Sequence, residues 1–391
     1  YRPGAGSNPP ELAGRDDLIR AFTTVLSHAK AGRPSKSMMP IGLRGVGKTV
    51  LLNRFSREAE NVGYKVGYIE APETGEMPAL IASRVRRVLL DYEREGVRGI
   101  SAALARALRV FKSFTIGIEA DGRPSFSLDI EPERGRADSG DLDEDLTDLL
   151  VAVGEAALDR SSGVLIAIDE LQNLSERELA AIIMAVHRTT QLDLPIVVAG
   201  TGLPSLPGLA GKAKSYAERL FDFPKIGSLP EPAALLAITA PAERHGVRFE
   251  DAALAQILDV TGAYPYFLQE WAYEVWERAR RSPITAADVE AVRDIVSEKL
   301  DRSFFRVRFD RVSPAERRYL RAMAELGPGP HRSGEIAGAY GVSVTRVASV
   351  RDSLINKGMI YSSEYGRTEF TVPLFDEFLR REVAELQEND A

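Results

Sequence analysis

Three spacings of apolar residues occur along the chain. "YKVGYIE" (64–70) reads as a strand, and short, nearly unbroken aliphatic runs occur in "GVLIAID" (163–169) and "DLPIVVAG" (193–200), with a briefer run in "SMMPI" (37–41). They are too short for helices and too apolar for a half-exposed sheet, so they predict parallel strands buried on both faces. Apolar residues three and four apart, as in "TVLLNRFSREAE" (49–60), predict the intervening helices. Strict alternation appears once. Phe114, Ile116 and Ile118, then Phe126, Leu128 and Ile130, flank "DGRP" and predict a β-hairpin inserted near 113–131. Beyond it, "RADSGDLDEDLTDLL" reads as a solvated loop entering a helix whose acidic first turn suits the helix dipole.

Helical spacing prevails from about 230 to 300, where the aromatic-rich "YPYFLQEWAYEVW" places Tyr266, Phe267, Trp271 and Trp276 in a predicted helical core. Residues 301–391 give three helices, "SPAERRYLRAMAEL", "SGEIAGAY" and "SVTRVASVRDSLINKG", and then two strands around a glycine turn in "MIYSSEYGRTEFTV". That order resembles a winged helix-turn-helix domain. The predicted organisation is a flexible lead-in over 1–10, an α/β core over 11–228, an all-helical lid over 229–300 and the winged domain over 301–391. No internal repeat is present.

Composition narrows the class. The chain has 391 residues, 44% hydrophobic and 27% charged, which fits a folded protein of two or three domains. Its apolar runs, such as Val164 to Ile168, are far below the roughly 20 residues a spanning helix needs, so no membrane association is expected. The opening "YRPGAGSNPP" lacks the layout of a secretion signal, and a cytoplasmic location is the expectation. With no cysteine there is neither a disulfide framework nor a thiolate metal site, and four scattered histidines offer no zinc spacing. A net charge of −7 argues against a surface coated for nucleic acid but leaves room for a small basic face.

The stretch "GLRGVGKTVLL" (42–52) carries the chemistry. Gly42, Gly47, Lys48 and Thr49 satisfy the phosphate-loop pattern between a predicted strand and a predicted helix. Backbone N–H groups along the loop, including those of Gly45, Val46 and Val50, would wrap phosphates in conformations that glycine permits. Lys48 would reach the β/γ oxygens, Thr49 would ligate Mg²⁺, and the helix N-terminus would add its dipole. The strand at 163–169 ends in Asp169 and Glu170, where open α/β sheets bind ligands. Asp169 is then the second magnesium residue, and Glu170 the group that orients and deprotonates water. Thr201, closing the next strand, is either a γ-phosphate or water contact or an ordinary turn residue. Arg219, just before a fifth strand, is either a finger for the transferring phosphoryl group or a surface ion-pair residue.

This set resembles an AAA+ ATPase of the clade that holds archaeal ATPases, origin-recognition initiators and STAND-type switches. The likeness runs from "LAGRDDLIRAF" through "TGAYPYFLQEWAYEVW". It implies a P-loop AAA+ core that binds ATP or ADP, with Gly14 and Arg15 near the adenine; Asp16 stands where glutamate is common. It also implies a nucleotide contact from the lid. Tyr264 and Pro265 occupy the place where many motors carry an arginine, a pattern similar to STAND switches, and slow hydrolysis used as a switch is the implication. A homo-oligomer or a protein partner is the corresponding expectation.

For the last domain, double-stranded DNA is the candidate partner. A helical wheel puts Val344, Val347, Val350 and Leu354 on one side of the third helix, with Arg351 at the rim in a structural pair. Arg346, Ser349, Ser353 and Asn356 face the other way, and Arg346, Ser349, Ser353 and the wing-tip Arg367 are the candidate DNA contacts. Residues 301–391 carry 14 Lys and Arg against 14 Asp and Glu. That balance leaves protein binding as the alternative role for this domain.

Overall fold

The computed structural model describes every residue except 5, 73–74, 96–99, 121–129, 363, 365 and 390–391, and the side chains of 118–120 and 383–389 are likewise outside the description. The chain divides into two compact units. One comprises 15–42 and 47–226; the other comprises 1–14, 43–46 and 227–391.

The first unit is built on a parallel sheet. Strands β2 (Tyr64–Glu70), β3 (Gly163–Asp169) and β4 (Ile196–Gly200) pair in that order. The short strands β1 (Ser37–Met38) and β5 (Phe221–Asp222) pair with each other, and Ile41 bridges to both Gly202 and Lys225, which extends the array to β2-β3-β4-β1-β5. All seven residues of β3 are buried, which is why its sequence is unbroken aliphatic. Alternate residues serve different layers. Val164, Ile166 and Ile168 join one apolar cluster with helices Met77–Arg94, Ala102–Ala120, Leu142–Asp159 and Glu176–Gln191. Leu165 and Ala167 are buried outside that cluster. Helices Asp16–Lys30 and Lys48–Asn61 pack on each other through Phe22 and Phe55, whose rings stack at 4.1 Å.

The hairpin expected near 113–131 is corrected on its first arm. Residues 102–120 form one helix, because Leu104, Leu108, Phe111 and Phe114 supply a buried stripe at helical spacing that overrides the local alternation. Ile116, expected on a buried face, is 44% exposed. The second arm falls mostly on 121–129, outside the described residues.

The second unit is mainly helical. Helices Glu231–Glu243, Asp251–Thr261, Pro265–Arg278, Ala286–Ala291 and Arg293–Leu300 run into a π-helical turn, Asp301–Phe305, and a short helix, Arg306–Phe309. Three helices follow, Pro314–Glu325, Ser333–Tyr340 and Val344–Asn356, with an antiparallel sheet of β6 (His331–Arg332), β8 (Arg367–Phe370) and β7 (Ile360–Tyr361) in that order. Helix Phe375–Asn389 closes the chain. Sequence spacing separates 229–300 from 301–391, yet here they are one unit. A seam of rings joins them: Tyr266 stacks on Phe304 at 4.4 Å, and Phe305 continues to Phe375 and Phe378.

Within the lead-in, Tyr1 is packed against the second unit's helices. The Tyr1 hydroxyl donates to the Ile238 carbonyl at 2.5 Å, its ring meets Trp276 edge-on, and burial pushes its phenol upward. An aromatic at the first position supplies apolar area that the Pro/Gly/Ser composition behind it does not. Among the described residues, no helix is long and apolar enough to cross a membrane.

Candidate active site

At the carboxyl end of β3 the first unit gathers four donors on one carboxylate. Thr49 Oγ1 donates to Asp169 Oδ2 at 2.6 Å, and the Tyr68 hydroxyl donates to the same oxygen at 3.2 Å. The buried Thr201 hydroxyl donates to Asp169 Oδ1, which also accepts the Glu170 N–H at 3.0 Å. The cause lies in the register. Parallel pairing sets Glu70 opposite Asp169, so Tyr68 stands two residues back on the neighbouring strand and reaches across. Burial first, then the charge of Asp169 and its hydrogen bond, push the Tyr68 phenol up, so it stays a neutral donor.

Each threonine has given its one hydroxyl proton to Asp169. Thr49 therefore keeps lone pairs for a cation, and Thr201 in this state can only accept. Lys48 is 5% exposed, with Nζ donating to the Gly42 carbonyl at 3.1 Å across the loop. Gly47 precedes the helix at φ 90°, in the left-handed region, which orients the amides of the first helical turn. Val50 lies in that turn. Glu170 follows β3 at φ 56°, ψ 42°, an unusual conformation for a residue with a side chain. Its Oε2 accepts a hydrogen bond from Gln172 Nε2.

The crest of the loop, 43–46, belongs to the second unit. There the Arg44 N–H donates to the Thr371 carbonyl at 3.2 Å, the Tyr266 N–H donates to the Gly45 carbonyl at 3.1 Å, and the Tyr264 hydroxyl donates to the Arg44 carbonyl. A side chain at Gly45, which has φ 90°, would begin 3.1 Å from both Tyr264 and Tyr266. Pro265 opens the helix that carries these tyrosines, and Val46 is buried. Arg308 lies over the Phe304 ring at 4.1 Å, and its guanidinium is pushed down to about 10 by burial and by the charge of Arg44. Gly14 ends the first segment of this unit. Arg15 begins the other unit, 8% exposed, its guanidinium also lowered by burial.

Arg219 is exposed on the short helix Ala217–Leu220, and among the described residues it makes no ion pair. Phe221, two residues after Arg219, pairs with Ser37, which lies five residues, or about 16 Å of strand length, before Gly42. In the second unit Arg346 and Ser349 are exposed on helix Val344–Asn356, and Arg367 begins β8. Ser353 is corrected. It turns inward and donates to Glu316 Oε1 at 2.7 Å, while Lys357 donates to Glu316 Oε2 at 2.7 Å. Burial would raise the Glu316 carboxyl, but the bonds from Lys357, Ser313 and Ser353 hold it down at about 2. Val344 correspondingly turns out, at 46% exposed. Arg351 does sit at the rim, donating to Thr368 and Ser362.

Tyr68, Gln172 and Thr371 are absent from the sequence reading. Only Tyr68 left a trace, as an aromatic near the end of a predicted strand. Among the described residues no group of three or more His, Cys, Asp or Glu could hold a metal ion.

Residues 11–198 match the family described as AAA ATPase domain, and 302–379 match a domain of unknown function. No curated protein matches. Among solved structures, the Walker-type ATPase of Pyrococcus abyssi is 16% identical with a TM-score of 0.52, covering 97% of this chain and 99% of that one. The RuvB Holliday junction branch migration motor of Thermotoga maritima is 15% identical at TM-score 0.47, over 96% and 99% of the two chains. The Aeropyrum pernix Orc1 protein, solved in complex with DNA, is 17% identical at TM-score 0.45, over 97% and 95%. At these identities the likeness is one of fold. The phosphate loop, the Thr49–Asp169 pair at the end of a parallel strand and the match over residues 11–198 together support an AAA+ P-loop ATPase with a nucleotide-binding fold.

Proposed function

We propose that the chain binds ATP with Mg²⁺ at Gly42–Val50, hydrolyses it slowly, and uses its nucleotide state to control engagement of double-stranded DNA through a winged helix-turn-helix domain in 301–391. Thr49 and Asp169 are hard oxygen donors that suit Mg²⁺, which prefers few protein ligands and keeps phosphate and water oxygens. When bound, the ion would neutralise charge on the phosphate oxygens. Lys48 binds the β/γ oxygens. Glu170 orients the attacking water and accepts its proton, and Thr201 fixes Asp169. Gly14, Arg15, Tyr264 and Pro265 are the residues proposed for the base and sugar side. Slow turnover is supported by "GAYPYFLQE", which offers no arginine to a γ-phosphate.

The observation that carries the coupling is the crest of the phosphate loop. Its backbone is held by Tyr264, by Tyr266 and by Thr371, the residue after β8. These partners take the Arg44 N–H and the carbonyls of Arg44 and Gly45. A ligand that orders the loop therefore bears on Thr371, the residue after β8, and by linkage the reverse holds. Arg219, exposed on its short helix, is proposed to act on the site of a neighbouring copy in a homo-oligomer.

Gel-shift titration tests the DNA role. Arg346→Ala is expected to weaken specific duplex binding by about 1–3 kcal/mol, the worth of one good base contact. Arg367→Ala should weaken all sequences alike and lower the salt slope by about one. Absence of duplex binding at low salt with ATP present would favour the second reading, a STAND-like switch whose terminal domain binds protein. That reading is supported by the charge balance of 301–391 and by exposed Val344 at the head of its third helix.

A further inference from the structure

We infer that Gln172 is a positioning residue for hydrolysis, holding Glu170 in place for the water it activates. The inference rests on the ATPase reading above and names a group that reading leaves idle. Gln172 lies in the single 3₁₀ turn Leu171–Asn173 immediately after Glu170. The backbone N–H of Leu203 donates to its Oε1 at 3.0 Å. A backbone N–H can meet only an oxygen, so this bond decides which end of the side-chain amide points where. Nε2 is left facing Glu170, and it donates to Oε2 of that carboxylate, with the Asn173 Oδ1 a distant second acceptor at 3.5 Å.

The backbone beneath is fixed from two sides. Leu171 N–H donates to the Thr201 carbonyl at 2.8 Å, and Asn173 N–H donates to the Glu170 carbonyl at 2.9 Å, which hold the left-handed turn. A glutamate on a fixed backbone still has three rotatable side-chain bonds. The Gln172 donor restrains their end, occupying Oε2 and leaving Oε1 to face a water. Leu203 stands two residues after Thr201, so the same glutamine ties the carboxylate to the segment that carries the Thr201 hydroxyl.

Two substitutions in the full-length protein separate this role from simple packing. Gln172→Glu keeps an oxygen for the Leu203 N–H but sets an acceptor where Glu170 needs a donor; Gln172→Leu removes both bonds. Both are expected to lower kcat by about tenfold to a hundredfold, the scale of a misplaced catalytic group, while KM and the calorimetric Kd for ATP stay within about twofold. Wild-type kcat in Gln172→Glu overturns the inference, and so does a loss of ATP binding that accompanies the loss of turnover. Glu170→Gln serves as the reference. If it is inactive while Gln172→Glu turns over normally, only the role of Gln172 falls; if it retains turnover, the base assignment falls with it.

Discussion

Lys48→Ala is expected to abolish measurable ATP binding. The ammonium is nearly buried and held across the loop by the Gly42 carbonyl, aimed by the first turn of a helix rather than free in solvent. Hydrogen bonds to charged groups contribute about 1.5–3 kcal/mol each, and a lysine spanning two phosphates makes two of them. Losing both weakens binding by roughly 10²- to 10⁴-fold, since each 1.4 kcal/mol is a factor of ten. Calorimetry with ATP and Mg²⁺ reads this directly. Near wild-type affinity in the variant, with an unchanged melting temperature, would remove the phosphate loop from the account.

Glu170→Gln is expected to bind ATP as the wild type does and to lose turnover by on the order of 10²-fold or more, the contribution of a positioned general base. The amide keeps the shape of the side chain but cannot take the water's proton. Its neighbour Asp169 is already committed to four hydrogen bonds and is not placed to substitute. Single-turnover hydrolysis with saturating ATP isolates the chemical step. A variant that hydrolyses at the wild-type rate would require another group to activate the water.

Much of this site was legible because its parts are local in sequence. Lys48 and Thr49 follow a glycine pattern that forces a loop, and Asp169 ends a run whose unbroken aliphatic character dictates burial on both faces. What could not be read depends on register and on partners distant in the chain. Tyr68 reaches Asp169 only because β2 and β3 pair as they do, and nothing in "YKVGYIE" encodes that register. Gln172 gains its role only when the fold brings the Leu203 N–H to it. Polar character misled the assignment of Ser353, since a buried capping carboxylate, Glu316, draws it inward. At Phe114 the alternating and helical patterns share residues, and the longer stripe through Leu104, Leu108 and Phe111 prevails. The ring seam through Phe304 and Phe305 joins two segments that spacing alone separates.

The central claim is that nucleotide state and engagement of the C-terminal domain are linked. Its most direct test is duplex affinity measured at one fixed salt concentration with saturating ATP and with saturating ADP, using Glu170→Gln to keep ATP intact. The account predicts affinities that differ by about five- to 150-fold, the usual range of such coupling, and a change by the same factor in the ATP-to-ADP affinity ratio when saturating duplex is added. Equal duplex affinity in the two nucleotide states, or no duplex binding in either, would contradict it.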